Sequence, residues 1–110
     1  GGAMDGGQGQ LVPTRFLWRH GGGRVSLCGS FTRWEEFVPM QPVEGHPGWF
    51  DCYVSLPPGN HQFKFVVDGQ WRHDESYTHT SDPMGNVNNQ IFVQPRFAGV
   101  QPLPVPGPGP

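Results

Sequence analysis

Residues 61–74, HQFKFVVDGQWRHD, decide the fold of this chain. Two short runs rich in β-forming residues flank Asp68-Gly69, a dipeptide suited to the positive φ angles of a two-residue type I′ turn. The segment is therefore predicted to be a tight β-hairpin. The turn fixes the register, which pairs Val67 with Gln70, Val66 with Trp71, Phe65 with Arg72 and Lys64 with His73.

The two faces of this hairpin differ in composition, because side chains alternate along a strand. One face is predicted to belong to the core, since it carries three large apolar side chains: Phe63, Phe65 and Val67. Trp71, opposite Val66 and diagonal to Lys64, falls on the other face. A tryptophan there either covers a neighbouring loop, as many single surface apolar residues do, or forms a flat binding platform.

Composition and charge limit the possible functions. The 110 residues suffice for one domain, and the net charge of −2 with a pI near 6.2 provides no basic field for nucleic acid or an anionic bilayer. No apolar run approaches the length of a membrane span, and no signal-peptide pattern is present. We therefore expect a soluble protein that binds neither nucleic acid nor membrane. It is expected in the cytoplasm or nucleus, or in a plastid if the native chain carries a transit peptide.

The chain divides into three parts. Residues 1–12 are predicted to be the remnant of an expression tag and a flexible lead-in, and residues 95–110 a Pro/Gly-rich linker. Between them, residues 13–94 form the module. Its strands are predicted at residues 14–18, 24–28, 49–56, 61–67 with the returning hairpin arm, and 87–93. Residues 31–48 and 75–86 are predicted to be loops. Short strands at this spacing indicate an all-β sandwich.

The cysteines and titratable residues give no sign of catalysis or metal binding. Alternation points Cys28 and Cys52 in different directions, which favours free thiols over a disulfide. The five histidines are scattered, without the spacing of a zinc site. Asp74, Glu75 and Asp82 are predicted to lie on one mobile loop with nothing opposite, which argues against the paired carboxylates of a glycosidase. No enzyme activity and no cofactor are expected.

Five ordered motifs carry a family resemblance. They are PTRF at residues 13–16, GSFxxW at 29–34, LPxGxHQFKF at 56–65, VDGQWxHD at 67–74 and GNVNN at 85–89. Together they resemble carbohydrate-binding modules of family 48, the glycogen- or starch-binding domains in β subunits of AMP-activated and SNF1-related protein kinases. GQLVPTRF followed by GSFTRW is most similar to the plant hybrid βγ subunit, so the chain resembles a fragment excised from a longer protein.

This resemblance implies an immunoglobulin-like sandwich that binds α-1,4-linked glucan: starch, glycogen or maltooligosaccharides. It implies kinase catalytic and regulatory subunits as partners of the full-length protein. The site residues that it implies are two sugar platforms, Trp34 and Trp71, a donor at Lys64, and further contacts from Met84, Asn86 and Asn88. Met84 stands where the family commonly has leucine, and Asn86 where animal members often have threonine. Residues 35–48 depart most from the family pattern.

Two other functions remain open from the sequence. The same sandwich can serve as a protein-interaction module for assembly of the kinase complex, with sugar binding weak or lost. It can also be a targeting module in a starch-processing enzyme. Tryptophan platforms favour sugar binding, because an aromatic ring covers the C–H patch of a glucose face without competing for its hydroxyls.

Overall fold

The computed structural model describes residues 10–96. The predictions for the tag remnant, and for the linker from residue 97 onward, lie outside the described residues. The strands of the described part are β1 (Val12–Trp18), β2 (Val25–Gly29), β3 (Val38–Pro39), β4 (Gln41–Pro42), β5 (Phe50–Leu56), β6 (Gly59–Val67), β7 (Gln70–Arg72), β8 (His79–Ser81) and β9 (Val87–Val93). A short 3₁₀ turn spans Ser30–Thr32. Within residues 10–96 no helix is long and apolar enough to cross a membrane.

The strands form two antiparallel sheets. The smaller sheet has the order β1-β5-β4, and the larger has the order β3-β2-β6-β9-β8, with β7 paired to β6. Pro13 lies in β1, an edge strand, which is the place in a sheet where proline is tolerated. The predicted all-β sandwich is confirmed.

The central hairpin has the predicted register. Val67 pairs with Gln70, Val66 with Trp71 and Phe65 with Arg72. The turn residues Asp68 and Gly69 have φ angles of 50° and 84°, as a type I′ turn requires. A local signal, the Asp-Gly dipeptide between alternating strands, was therefore sufficient to place the hairpin.

The core lies between the two sheets and is built from aromatic side chains. Phe16 of β1 packs on Phe63 of β6, with ring centroids 4.8 Å apart, and Trp18 packs on Phe65 at 5.0 Å. All four side chains are buried. The core-facing side predicted for β6 is confirmed, since Phe63, Phe65 and Val67 are all buried.

Both predicted loops contain strands, so these two predictions were partly wrong. Residues 31–48 include β3 and β4, whose prolines are tolerated because each strand is short and lies at a sheet edge. Residues 75–86 include β8, in which Thr80 pairs with Asn88. The side chains of β8 are polar and exposed, so it shows no apolar alternation to reveal it.

Asp74 was also predicted wrongly. It is 2% exposed, not part of a mobile loop, and its carboxylate lies 3.1 Å from Nε2 of His20. The fully buried Asn89 holds the chain here, because its Oδ1 accepts a hydrogen bond from the Asp74 amide at 2.8 Å. Its Nδ2 donates to the Asp74 carbonyl at 2.8 Å and to the Thr78 carbonyl at 3.3 Å. This network fixes residues 74–78 against β9.

Candidate functional site

The segment that carries Trp34 is anchored to the central strand. Gly29 ends β2 so close to β6 that a Cβ atom would lie 2.5 Å from the Gln62 carbonyl oxygen. The next residue, Ser30, accepts a hydrogen bond from the Gln62 amide at 3.1 Å and donates one to the Gln62 carbonyl at 3.3 Å. The pair Gly29-Ser30 therefore fixes the point at which the chain leaves the sheet.

Trp34 follows in an energetically costly backbone conformation. Arg33 and Trp34 have φ angles of 56° and 58°, in the left-handed region that costs roughly 1–2 kcal/mol for a non-glycine residue. The Trp34 amide donates to the Gly29 carbonyl at 2.9 Å, which closes the turn. Strain of this kind is concentrated at functional sites. Here it places the indole beside Gln62 and Lys64.

Trp71 is carried by β7 of the hairpin and lies beside Trp34. Hydrogen bonds from the backbone amides of Arg24 and Gly23 to the Asp68 carboxylate tie the hairpin turn to the chain before β2. These bonds hold the pKa of Asp68 below its ordinary value. The ring centroids of Trp34 and Trp71 lie 6.4 Å apart, with their planes inclined by 50°. Two tryptophans distant in sequence are thus neighbours, as expected for the two platforms that the family resemblance implies.

Phe37 adds a third ring that the sequence analysis missed. Its centroid lies 5.6 Å from that of Trp71, and the two side chains are 49% and 47% exposed. Trp71 is therefore the middle member of a group of three rings, the exposed Trp71 and Phe37 and the half-buried Trp34, which we call the aromatic surface. The only signal for Phe37 in the sequence is its position three residues after Trp34, in a segment without strand periodicity.

A groove of about 410 Å³ runs beside the two tryptophans. Its lining comprises both indoles, one cation, one carboxylate and two amides: Trp34, Trp71, Lys64, Asp82, Asn86 and Asn88. Five of the six residues implied by the family resemblance therefore surround one groove. The sixth, Met84, is 87% exposed and is not among the lining residues. Whether these side chains contact a ligand stays a prediction.

Asp82 was not predicted as part of the site, but it shapes the loop that carries Asn86. Its carboxylate accepts hydrogen bonds from the Asn86 side chain at 3.1 Å and from the Met84 and Asn86 amides, both at 2.9 Å. The bonds from Asn86, side chain first, hold the pKa of Asp82 below its ordinary value. Because the Nδ2 of Asn86 is bonded to Asp82, the side-chain oxygen Oδ1 of Asn86 is the group better placed to contact a ligand.

The groove has the chemistry of a site for a neutral polyhydroxylated ligand. Indole faces can cover apolar C–H patches, while hydroxyl groups at the rim of a ring need fixed donors and acceptors. The Lys64 ammonium supplies donors and the Asn88 amide supplies both kinds. Asn88 is oriented by a hydrogen bond of 3.1 Å from its Nδ2 to Oε1 of Gln62.

The two cysteines and Asp74 do not line this groove. Burial and the neighbouring Asp51 carboxylate raise the pKa of the Cys52 thiol to about 12, so it stays protonated at neutral pH. Both cysteines are free, as predicted. Asp74 is buried, with its carboxylate beside His20 and its backbone bonded to Asn89. Across residues 10–96, no group of three or more His, Cys, Asp or Glu side chains is arranged to hold a metal ion.

The fold and the site define a class of protein: a β-sandwich module with an aromatic-lined groove, of the kind found in carbohydrate-binding modules. The sequence comparison then makes the assignment specific. Residues 12–98 match the family described as the glycogen recognition site of AMP-activated protein kinase. The chain belongs to this family, which confirms the resemblance drawn from the five motifs.

The relatives are β subunits of kinases. The chain is 37% identical over 87 residues to SNF1 protein kinase subunit beta-3 of Saccharomyces cerevisiae. The aligned residues cover 79% of this chain and 21% of the relative. It is 40% identical over 85 residues to 5'-AMP-activated protein kinase subunit beta-2 of Homo sapiens, covering 77% of this chain and 30% of the relative. With subunit beta-1 of Bos taurus the identity is 42% over 85 residues, again covering 77% and 30%. The chain thus spans between a fifth and a third of the length of these relatives.

Proposed function

We propose that this chain is a non-catalytic module that binds α-1,4-linked glucan through Trp34 and Trp71, within a regulatory subunit of a protein kinase. The observation that carries the proposal is the pair of indoles, 6.4 Å apart, beside one groove. Lys64 and Asn88 complete the groove with polar groups suited to sugar hydroxyls. Membership of a glycogen-recognition family supports the choice of glucan over other sugars.

The expected affinity is low for a short oligosaccharide. If each tryptophan removes roughly 100 Å² of apolar surface from water at about 25 cal/mol/Å², the pair contributes about 5 kcal/mol before the cost of association. This corresponds to dissociation constants from millimolar to high micromolar. Strong retention is expected on a glucan particle, where many chains are within reach of each module.

Co-sedimentation with amylopectin or glycogen tests the proposal. The parent protein should pellet with the polysaccharide, and Trp34→Ala and Trp71→Ala should both remain in the supernatant. Circular dichroism and thermal unfolding establish that the variants are folded. A parent protein that stays in solution would contradict sugar binding.

A second candidate is a protein-interaction module for assembly of the kinase complex. The exposed apolar side chains of Phe37, Trp71 and Met84 favour it, since such a patch can also dock a protein. The commitment of the Asn86 side chain to Asp82 points the same way, because it removes one donor from the groove. Under this alternative, Trp71→Ala would reduce capture of the kinase catalytic and regulatory subunits while the parent showed no glucan binding.

A further inference from the structure

A second groove also borders Trp34. It has a volume of about 550 Å³, and the residues that line it are Ser30, Trp34, Asn60, Gln62 and Gln90. Because Trp34 lines this groove as well as the first one, a chain molecule that stacks on this indole can continue from one groove into the other. No sequence motif pointed to Asn60 or Gln90.

A row of amides connects the two grooves along the outer face of the larger sheet. Gln62 of β6 faces Gln90 of β9 in the ladder, and Asn60 lies two residues further along β6 on the same face. Asn88 Nδ2 donates to Gln62 Oε1 at 3.1 Å, and Gln90 Nε2 donates to Asn60 Oδ1 at 3.4 Å. The amides are therefore held in place before any ligand arrives, which lowers the entropic cost of binding.

The chemistry of this second groove suits a neutral polyol. Its five lining residues carry no charge, so they offer nothing specific to a phosphate or a carboxylate. The amides form two pairs, Asn88 with Gln62 and Gln90 with Asn60. In each pair, the NH₂ group of the first residue donates to the side-chain oxygen of the second. Gln62 and Asn60 thus keep their NH₂ groups as donors, and Gln90 keeps its carbonyl oxygen as an acceptor. Donors and acceptors placed side by side match the adjacent hydroxyls of a hexose.

We infer that this second groove is a further subsite, which takes additional hexose units of a glucan chain already stacked on Trp34. The inference rests on the proposed function, and it makes Asn60 and Gln90 determinants of chain-length preference. The outer-face positions from Lys64 to Asn60 span about 13 Å along the strand. A ligand that uses the whole row must therefore extend well beyond the tryptophan pair.

Calorimetric titration with maltotriose and maltoheptaose tests this subsite. The proteins compared are the parent, Asn60→Ala/Gln90→Ala, and the control Gln41→Ala, which removes an exposed amide from the other sheet. The parent should bind the heptaose more tightly than the triose. The double variant should bind the heptaose about ten-fold more weakly, because about two hydrogen bonds are lost, and the triose unchanged. Gln41→Ala should match the parent with both sugars.

The possible outcomes separate the subsite from the proposed function. If the double variant binds both sugars as the parent does, the subsite is refuted while glucan binding stands. Equal weakening with both sugars also refutes it, because the amides would then act on the first groove. A parent that binds neither sugar overturns the proposed function and the subsite together. Asn60→Ala alone, at an exposed position, gives the same comparison if the double variant does not fold.

Discussion

Asn88 and Asn89 are neighbours on β9, yet they lie in two regions of opposite character. Asn89 is fully buried, and both ends of its amide are bonded to backbone groups of residues 74–78. Asn88 lines the groove beside the aromatic surface, where its amide nitrogen is bonded to Gln62. Strand alternation alone sends the two side chains to opposite faces.

The difference shows how one residue type serves two purposes. A buried amide must satisfy its hydrogen bonds inside the protein, so Asn89 contributes to stability and has nothing left for a ligand. Asn88 lies on the outer face and has one side-chain hydrogen bond, to Gln62, so part of its amide stays available to a ligand and we expect it to add little to stability. The same division separates the Asp74–Asn89 network as a whole from the aromatic surface with its groove.

The largest expected effect is on stability. Asn89→Ala should lower the free energy of unfolding by about 3 kcal/mol, because it leaves buried backbone groups of Asp74 without partners. Asn88→Ala, the matched substitution one residue away, should change it by less than about 0.5 kcal/mol. Urea denaturation measures both values. Equal losses of unfolding free energy in the two variants would contradict the view that Asn89 stabilises the fold and Asn88 does not.

The next effect is on binding. Trp71→Ala should weaken binding of maltoheptaose by about 2 kcal/mol, or roughly 30-fold, because the variant loses the apolar surface that stacks on the sugar. Tyr53→Ala is the control, since Tyr53 is 67% exposed but belongs to the other sheet. Calorimetric titration should find this control within two-fold of the parent. A similar loss of affinity in both variants would show that the effect is not specific to the groove, and it would contradict the role given to Trp71.

The smallest expected effect is the dependence of stability on pH, and it concerns Asp74 in the Asp74–Asn89 network. Burial by itself raises the pKa of Asp74, but hydrogen bonds from Ser76 and His20 and the charge of His20 outweigh it and hold the pKa below the ordinary value of 3.8. A lowered folded-state pKa means that the carboxylate stabilises the fold above about pH 4, and that this contribution is lost as the pH falls through the folded-state pKa. The urea midpoint of the parent should therefore fall below about pH 4.

Asp74→Asn provides the control for this acid effect. Its urea midpoint should be lower than that of the parent at pH 7, and it should fall less between pH 5 and pH 3. An identical slope in the two proteins would show that Asp74 does not contribute to the acid sensitivity. The pKa values of Asp68 and Asp82 are also lowered, so we expect these two carboxylates to contribute to the fall that remains.

The features that were predictable from the sequence are the local ones. The Asp68-Gly69 turn and the alternation of Phe63, Phe65 and Val67 determine the hairpin without reference to the rest of the chain. They also place Trp71 on the outer face. The position of Trp34 came from the family resemblance, since nothing local shows that its loop folds back toward β6.

The features that were missed depend on contacts between distant segments. Burial of Asp74 requires Asn89, fifteen residues away, and His20 from the other end of the domain. The strand His79–Ser81 forms because β9 offers it an edge, and its polar sequence carries no apolar alternation. Phe37 joins the aromatic surface through the fold of a proline-rich segment, in which periodicity gives no information.

The most direct test of the account is a titration of maltoheptaose followed by the indole N–H signals of the four tryptophans. Trp18 serves as a buried control, since it is 2% exposed and its Nε1 donates to Gly21. Trp49 stacks on His46, with ring centroids 4.3 Å apart, and serves as a second control because it does not line the groove. The account predicts that the signals of Trp34 and Trp71 shift together with one dissociation constant while the other two stay in place. Shifts at Trp49 alone, or none at all, would contradict it.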